Sequence, residues 1–564
     1  MKKNKVTLNL LSSFNSSNFA NLLKNSNDFD WEIHEADYSQ IFQTLSNKNS
    51  KMWRTKTNIT LIWSTPESIS PEFNKLLENK EIDSDIIKQD VFHFFSCVKL
   101  IQNNTDLVIL PSWILREPYE GSIALSYSKN LGVEYNLSLM NHYLSELINK
   151  EKNFYLVNSS KWLSNCGAIN TYNSKLWYLM KNPFSNDFFK EAITDITFLY
   201  KSLKGLSKKL LILDLDNTLW GGIVGDDGWK NLRIGGHDHL GEAFKDFQNK
   251  IKSLKKSGIL LALCSKNTES VAIEAIQKHP EMVLSMDDFV NFRINWDDKA
   301  KNIADMTKEL NLGLQSVVFL DDSPFERARV KEMLPEVVVP DLPINPEEYP
   351  NFLSKLHYFD SAYISEEDKK RAELYKSEFK REKLKQEFKS VSQWVETLEL
   401  KVTIENIKNE NLPRAIQLLN KTNQLNLSTR RLTEKEFTNW IKISSNKLWT
   451  IRAKDKFGDY GIIGILSLST KMKVAQLIDF ILSCRVIGRN IEEVMIEFIK
   501  EFCRKNKIQK INGKYIKTKK NIPLFEFLRK LNLVSSKNYS FEINSNQDDL
   551  NLTNIEIIKP FSKN

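Results

Sequence analysis

An α/β fold divided into about three domains is what this 564-residue chain predicts, with each domain long enough to bury its own core. Two observations lead there. Between residues 1 and 345, short apolar runs of strand length alternate with stretches that place apolar residues at helical spacing. That is the pattern of a mainly parallel sheet covered by helices. Between 391 and 545, strand-like runs instead follow one another directly before a helix, as in an α+β domain. The expected division is residues 1–205, 206–345, a charged helical connector at 346–390, a third domain at 391–545 and a tail at 546–564.

In the first domain the expected strands are Val6–Leu11, Ile59–Trp63, Leu107–Leu110 and Phe154–Val157, with helices over Phe19–Leu23 and Ile86–Ile101. Ser12 and Ser13 follow the first strand, where an SGNH-type esterase carries its nucleophile. Such an enzyme also needs a base, usually from an Asp-x-x-His late in the domain. The histidines here are His34, His93 and His142, and none answers to that description near the domain's end. The Gly and Asn of an oxyanion hole are not recognisable either. The domain reads as a flavodoxin/SGNH-like parallel-sheet domain without catalysis, suited to docking or scaffolding.

Composition narrows the setting. The net charge of +9 comes mostly from lysine in a chain rich in Asn, Lys and Ile. It permits an acidic partner, but no basic-aromatic run or RNA motif points to nucleic acid. No apolar run approaches the length of a membrane span. Met1–Phe14 is too short and too polar for a signal peptide and reads as a first strand. The five cysteines are scattered without zinc spacing, as expected of reduced thiols in a cytoplasmic protein.

Residues 206–345 carry the chemistry. Leu210–Leu213 reads as a buried strand, and Asp214 and Asp216 lie just past its end, followed by Thr218, Gly221 and Gly222. Ligands of open α/β sheets bind beyond the carboxyl ends of strands. An Asp at such a tip can attack phosphorus, and both carboxylates can hold Mg²⁺. A helix over Ala243–Leu254, closed by Gly258, leads to a second strand, Ile259–Leu263, which ends in Cys264-Ser265-Lys266-Asn267. A hydroxyl at that tip can bond a phosphoryl oxygen. Asn295-Trp296-Asp297-Asp298-Lys299 opens another helix, and Lys299 can neutralise phosphate charge. Val317–Leu320 then ends in Asp321-Asp322-Ser323-Pro324, and paired acids at a strand end suit Mg²⁺. Singly, these are ordinary turns, a helix cap and a solvated lysine. Together, three strand tips and one helix start supply nucleophile, hydroxyl, lysine and metal acids in that order.

That four-part order resembles the haloacid dehalogenase (HAD) superfamily, with a Rossmann-like central domain. The resemblance implies phosphoryl transfer by positioning and charge neutralisation. Asp214 would form an aspartyl-phosphate. Asp216 would protonate the leaving oxygen and then deprotonate the hydrolytic water. Mg²⁺ would sit between Asp214, the Asp216 carbonyl and Asp322, with Asp321 close by, while Ser265 and Lys299 would hold phosphoryl oxygens.

The resemblance narrows to the FkbH-like proteins of HAD subfamily IIIC. It is carried by Asp214 to Gly222 (Asp-Leu-Asp-Asn-Thr-Leu-Trp-Gly-Gly), Gly225-Asp226-Asp227-Gly228, Cys264-Ser265-Lys266-Asn267, Asn295-Trp296 and Leu320-Asp321-Asp322-Ser323-Pro324. Asp226 stands where that family usually has Glu, and Ser323 where it often has Asn. The likeness runs over nearly the whole chain, most specifically from about 170 to 530.

In the connector, Ser365-Glu366-Glu367-Asp368 reads as a helix start with acids in its first turn, and a Lys- and Glu-rich amphipathic helix follows to Phe388. In the third domain, Leu398–Ile404 reads as a strand, Leu412–Leu419 as a helix and Asn420–Arg431 as a polar loop. Strands are expected at Leu448–Ile451, Gly461–Leu468 and Val474–Leu482, then a helix over Ile491–Phe502. Between them lies Ser483-Cys484-Arg485-Val486-Ile487-Gly488-Arg489-Asn490. A strand running into an Arg-x-x-Gly loop and a helix N-terminus is a ready pyrophosphate site, assigned to Arg485, Gly488 and Arg489. With a last helix over Lys519–Leu533, the order resembles the GNAT acetyltransferases, whose site can accept the phosphopantetheine arm of CoA or of a carrier protein.

Taken together, the FkbH-like resemblance implies conversion of 1,3-bisphosphoglycerate into a glyceryl thioester on an acyl carrier protein, with hydrolysis of the remaining phosphate ester. The accepting thiol would be the carrier's own, or a cysteine of this chain as relay, Cys264 or Cys484. Side chains alternate along a strand, so Ser265 facing the site turns Cys264 sideways. A plain phosphatase of a sugar or other phosphate metabolite is the alternative, and a carrier-protein scaffold a third reading.

Overall fold

The computed structural model describes residues 4–116, 123–151, 153–236, 238–310, 312–360, 388, 391–422, 424–432, 434–471, 473–483, 486–518, 521–534, 539–546 and 555–560. The chain forms two compact units, one built on residues 1–204 and the other on residues from 205 onward. Among the described residues, no helix is long and apolar enough to cross a membrane.

The first unit is a parallel sheet of β1 (Lys5–Ser12), β2 (Asp30–Glu35), β3 (Ile59–Trp63), β4 (Val108–Pro111) and β5 (Phe154–Val157), in the order β2-β1-β3-β4-β5. Strands apolar on both sides take the middle: every residue of β3 is buried. Helices cover both faces. Phe94, Val98, Met140 and Leu144 build one core, and Phe19, Leu23, Phe188 and Ile196 the other. Ser12 is buried and its Oγ accepts the Phe14 N–H at 3.2 Å, while Ser13 Oγ donates to Thr65 Oγ1 at 3.3 Å.

The second unit begins with a parallel sheet of β6 (Leu210–Leu213), β7 (Leu260–Ser265), β8 (Asn291–Ile294) and β9 (Val317–Leu320), in the order β8-β7-β6-β9. Leu213 pairs with Leu263 on one side and Leu320 on the other, so the tips of β6, β7 and β9 lie level. Side chains alternate across the sheet. Leu211 and Leu213 join Phe244, Phe247 and Ile251 of the helix His239–Lys256. Leu210 and Ile212 join Ile303 and Met306 of the helix Lys299–Glu309. Tyr349, Leu353 and Phe359 also pack into the first of these cores, so the central domain runs past residue 345 to take in the start of the expected connector. The expected helix starting at Ser365 lies outside the described residues.

The unit's other sheet is mixed. It contains β10 (Lys401–Asn406), β11 (Leu425–Asn426), β12 (Asn446–Asp455), β13 (Gly458–Lys471), β14 (Val474–Leu482), β15 (Lys510–Lys514), β16 (Ser540–Asn544) and β17 (Glu556–Ile558). The order is β16-β15-β14-β13-β12-β10-β17. β14 and β15 run parallel and pair over Val474–Leu477 with Lys510–Gly513. Farther along β14, Ile481 and Leu482 pair instead with Asn426 and Leu425 of β11, inside what the sequence presents as a polar loop. The helix Ile491–Lys505 lays Val494, Met495, Phe498 and Ile499 in this domain's core.

Candidate active site

Three acids converge at the tips of β6 and β9. Asp214, Asp321 and Asp322 each offer a carboxylate oxygen, all within 4.8 Å of one another. The strands force this convergence: β6 and β9 are hydrogen-bonded neighbours in register, and the Asp214 N–H continues the ladder to the Leu320 carbonyl at 3.0 Å. Lys299, the first residue of its helix, brings its Nζ to 3.1 Å from Asp214 Oδ2 and 2.6 Å from Asp321 Oδ2. Burial pulls the pKa of this lysine down, but Asp214 and Asp321 more than offset that and hold it above the usual range, so it stays charged. Burial, with the charge of Asp214, pushes the carboxyls of Asp321 and Asp322 upward.

Further contacts fix the acids. Thr218 Oγ1 accepts the Asp322 N–H at 3.1 Å. Arg327 Nη1 donates to the carbonyls of Asp321, at 2.8 Å, and Asp322, at 2.6 Å. Ser323 N–H donates to Asp321 Oδ1 at 2.9 Å.

Asp216 stands apart from this cluster. Its Oδ1 accepts from Trp220 Nε1 at 2.8 Å and from the Val224 N–H at 3.0 Å, and its Oδ2 accepts from Asn267 Nδ2 at 2.8 Å. Burial raises its pKa against these three donors. The turn that aims it depends on Asn217, which sits at φ 52° and accepts the Gly222 N–H on Oδ1 at 3.0 Å. Asn tolerates this left-handed conformation better than most residues.

The acid cluster fits a hard divalent cation. Three carboxylates face one ammonium, and Asp214 Oδ1 is a buried oxygen with no hydrogen-bond partner. Carboxylate oxygens are the ligands Mg²⁺ prefers. Asp216 adds no carboxylate oxygen to this set, its side chain being turned to Trp220, Val224 and Asn267.

Ser265 ends β7 and is buried. Cys264 beside it belongs to the opposite face, in the core with Leu260 and Ala262, and its Sγ lies 3.8 Å from the Lys299 carbonyl. Burial drives its thiol pKa far upward. The thiolate is the reactive form, so a relay role for Cys264 is at odds with its surroundings. Cys484 and Arg485 lie outside the described residues.

The loop expected to bind pyrophosphate has other business. The Gly488 N–H donates to Glu492 Oε1 at 3.2 Å. Arg489 is 2% exposed, its guanidinium 5.3 Å from the rings of both Trp394 and Tyr460. Gly488 and Arg489, two of the three residues expected to bind pyrophosphate, are thus engaged with Glu492, Trp394 and Tyr460.

Trp220, Asn267 and Arg327 were not assigned roles from sequence. Trp220 and Asn267 stand inside the motifs, but only the folded turn shows that both point at Asp216.

A crystal structure of the N-terminal part of protein BF1531 from Bacteroides fragilis, containing a phosphatase domain and complexed with Mg, is similar to this chain. The identity is 31%, over 64% of this chain and 95% of that one, with a TM-score of 0.58. Weaker likenesses are the ribosomal-protein-S18-alanine N-acetyltransferase from Escherichia coli (10% identity, 27% of this chain, 98% of that one, TM-score 0.20) and a GNAT-family acetyltransferase from Staphylococcus aureus Mu50 (12%, 26%, 99%, TM-score 0.20). No protein-family model and no curated protein matches the chain.

Proposed function

This chain belongs to the HAD phosphatase family of the Bacteroides fragilis protein, and we propose that it transfers a glyceryl unit from 1,3-bisphosphoglycerate to the phosphopantetheine thiol of an acyl carrier protein and hydrolyses the remaining phosphate ester. The observation that carries the phosphatase part is the cluster of Asp214, Lys299, Asp321 and Asp322 with Asp216 beside it.

An oxygen of Asp214 attacks phosphorus, and the bond from phosphorus to the leaving oxygen breaks. Asp216 supplies the proton that the leaving oxygen needs, and takes one back from the water that later cleaves the aspartyl-phosphate. Lys299 keeps positive charge beside the reacting group throughout. Mg²⁺ held by Asp214, Asp321 and Asp322 would neutralise phosphoryl charge.

For the acyl half, the carrier thiolate forms a C–S bond as the acyl phosphate's C–O bond breaks and inorganic phosphate leaves. The mixed anhydride is already activated, so no nucleotide is required. The FkbH-like motifs support this assignment. So does the surface near the strand tips, where Trp296 and Phe325 stand 72% and 73% exposed, as apolar footing for a large partner. A carrier-bound arm ends in a single phosphodiester rather than a diphosphate, so the closed Gly488–Glu492 loop disfavours CoA but not a carrier. A cytoplasmic setting belongs to the same reading.

A plain phosphatase of a small phosphate metabolite is the second reading. It is favoured by that same closed loop, which leaves the phosphatase cluster as the assembled site among the described residues. Intact-mass spectrometry of enzyme, Mg²⁺, 1,3-bisphosphoglycerate and phosphopantetheinylated carrier separates the two. A glyceryl-sized gain on the carrier is expected. Phosphate release without mass gain on either protein would leave the plain phosphatase.

A further inference from the structure

We infer that Arg327 is a positioning residue: it restrains the backbone that carries Asp321 and Asp322, and so sets the affinity of the acid cluster for a divalent cation. The three acids are held in different ways. Asp321 is held through its side chain, by Lys299 Nζ at 2.6 Å and by the Ser323 N–H at 2.9 Å. Asp214 is held by Lys299 Nζ at 3.1 Å. Asp322 is held through its backbone. Its N–H donates to Thr218 Oγ1 at 3.1 Å, whereas Thr218 Oγ1 stands 3.5 Å from its carboxylate Oδ1. Where the Asp322 carboxylate points is therefore decided by the peptide planes on either side of it.

Arg327 holds both planes. One nitrogen, Nη1, donates to the Asp321 carbonyl at 2.8 Å and to the Asp322 carbonyl at 2.6 Å. A terminal guanidinium nitrogen carries two hydrogens, one for each bond. The peptide group is planar, so an anchored oxygen restrains the whole plane. With both planes restrained, the Cα–Cβ bond of Asp322 keeps one direction.

This is an unfavourable place for an arginine unless it has such work. Arg327 lies in the first turn of the helix Pro324–Met333, its N–H bonded to the Ser323 carbonyl at 3.1 Å. A helix N-terminus disfavours a cation. The residue is 8% exposed, so water does little to relieve it. The two carbonyl oxygens offset the repulsion, together with Asp341 Oδ1, 3.6 Å from Nε. The same turn is tied down on its other side, where Glu326 Oε1 lies 2.7 Å from Nζ of Lys266, the residue after Ser265. Because β7 and β9 flank β6, this one turn clasps the tips on both sides of Asp214.

The role of Arg327 rests on the reading that Asp214, Asp321 and Asp322 hold Mg²⁺. Its bonds go to carbonyls and not to the carboxylates, so its removal leaves every ligand present and frees only their direction. Groups that orient metal ligands without touching the metal are worth about 10- to 100-fold in metal affinity.

The test is calorimetric titration of the full chain with Mg²⁺, beside its melting temperature without Mg²⁺. Arg327→Met keeps an unbranched stem and loses both donors. It is expected to raise the Mg²⁺ dissociation constant about 10- to 100-fold. Arg327→Lys keeps the charge but not the planar fork. It should fall between wild type and Arg327→Met, and it stands in if Arg327→Met fails to fold. A dissociation constant within about threefold of wild type in the folded variant, whatever its melting temperature, would make Arg327 a structural residue only and overturn the inference while the cation site survives. A wild-type chain that takes up no Mg²⁺ would overturn the cation reading and this inference with it.

Discussion

At Lys299 an ammonium group with 4% of its side chain exposed lies between Asp214 and Asp321. It offsets two buried carboxylates. Removing one partner of a buried ion pair costs about 3–5 kcal/mol, because the other charge is stranded. Lys299→Met should therefore lower the melting temperature measured without Mg²⁺, and added Mg²⁺ should recover part of the loss. An unchanged melt would mean that these acids do not depend on the lysine. At this scale the sequence was most informative about groups whose job follows from backbone position. Asp214, Asp321, Asp322 and Lys299 meet because strand tips and a helix start meet. Asn267 and Trp220 were illegible as partners of Asp216, since their role depends on where side chains turn after the strand ends. The alternation of side chains that sets Cys264 into the core was legible.

Among the elements, strands buried along their whole length were readable as continuous apolar runs, and β6 and β9 lie where those runs are. The edge strands β2 (Asp-Trp-Glu-Ile-His-Glu) and β8 (Asn-Phe-Arg-Ile) escaped, because a strand with one open side carries polar residues and loses that signature. β11 escaped for another reason. It has two residues, and it is held by tertiary partners: Arg430 forms an ion pair with buried Asp479, which also accepts from Ser428 Oγ at 2.8 Å. No local pattern announces such a strand. The helix start at Ile491 makes its own prediction. Glu492 is buried, and burial raises its pKa to about 7. Its unfolded value is about 4.3, so the fold favours the protonated form. The stability this contributes is complete below about pH 4 and is lost as pH rises through about 7. Glu492→Gln keeps an acceptor for the Gly488 N–H and never ionises. It should be more stable than wild type at pH 8, by on the order of 2 kcal/mol, and indistinguishable at pH 4. Denaturant melts at the two pH values check this, and an equal difference at both would rule out the buried charge as its source.

For the whole molecule, the parallel sheet with helices on both faces was predictable because its cores follow strand and helix periodicity. The extension of the central core to Phe359 was not, since Tyr349 and Leu353 fall in a short helix after Pro-rich, acidic sequence. Three carboxylates against one ammonium leave this fold with excess negative charge in its centre. A cation that binds only the folded chain stabilises it by mass action, about 2.7 kcal/mol at a hundred times its dissociation constant. Mg²⁺ should thus raise the melting temperature, and Asp322→Asn should remove most of that rise. If the rise is the same in the variant, the cation binds elsewhere.

The central claim, that Asp214 takes the phosphoryl group, is tested most directly by acid-quenching wild type and Asp214→Asn during turnover of 1,3-bisphosphoglycerate with Mg²⁺ and measuring intact mass and released phosphate. The wild type should carry one added phosphoryl group and release phosphate, while the variant shows no added mass, releases phosphate about 10³-fold more slowly or less, and melts as a folded protein. Phosphate release at the wild-type rate from a folded Asp214→Asn would contradict the assignment.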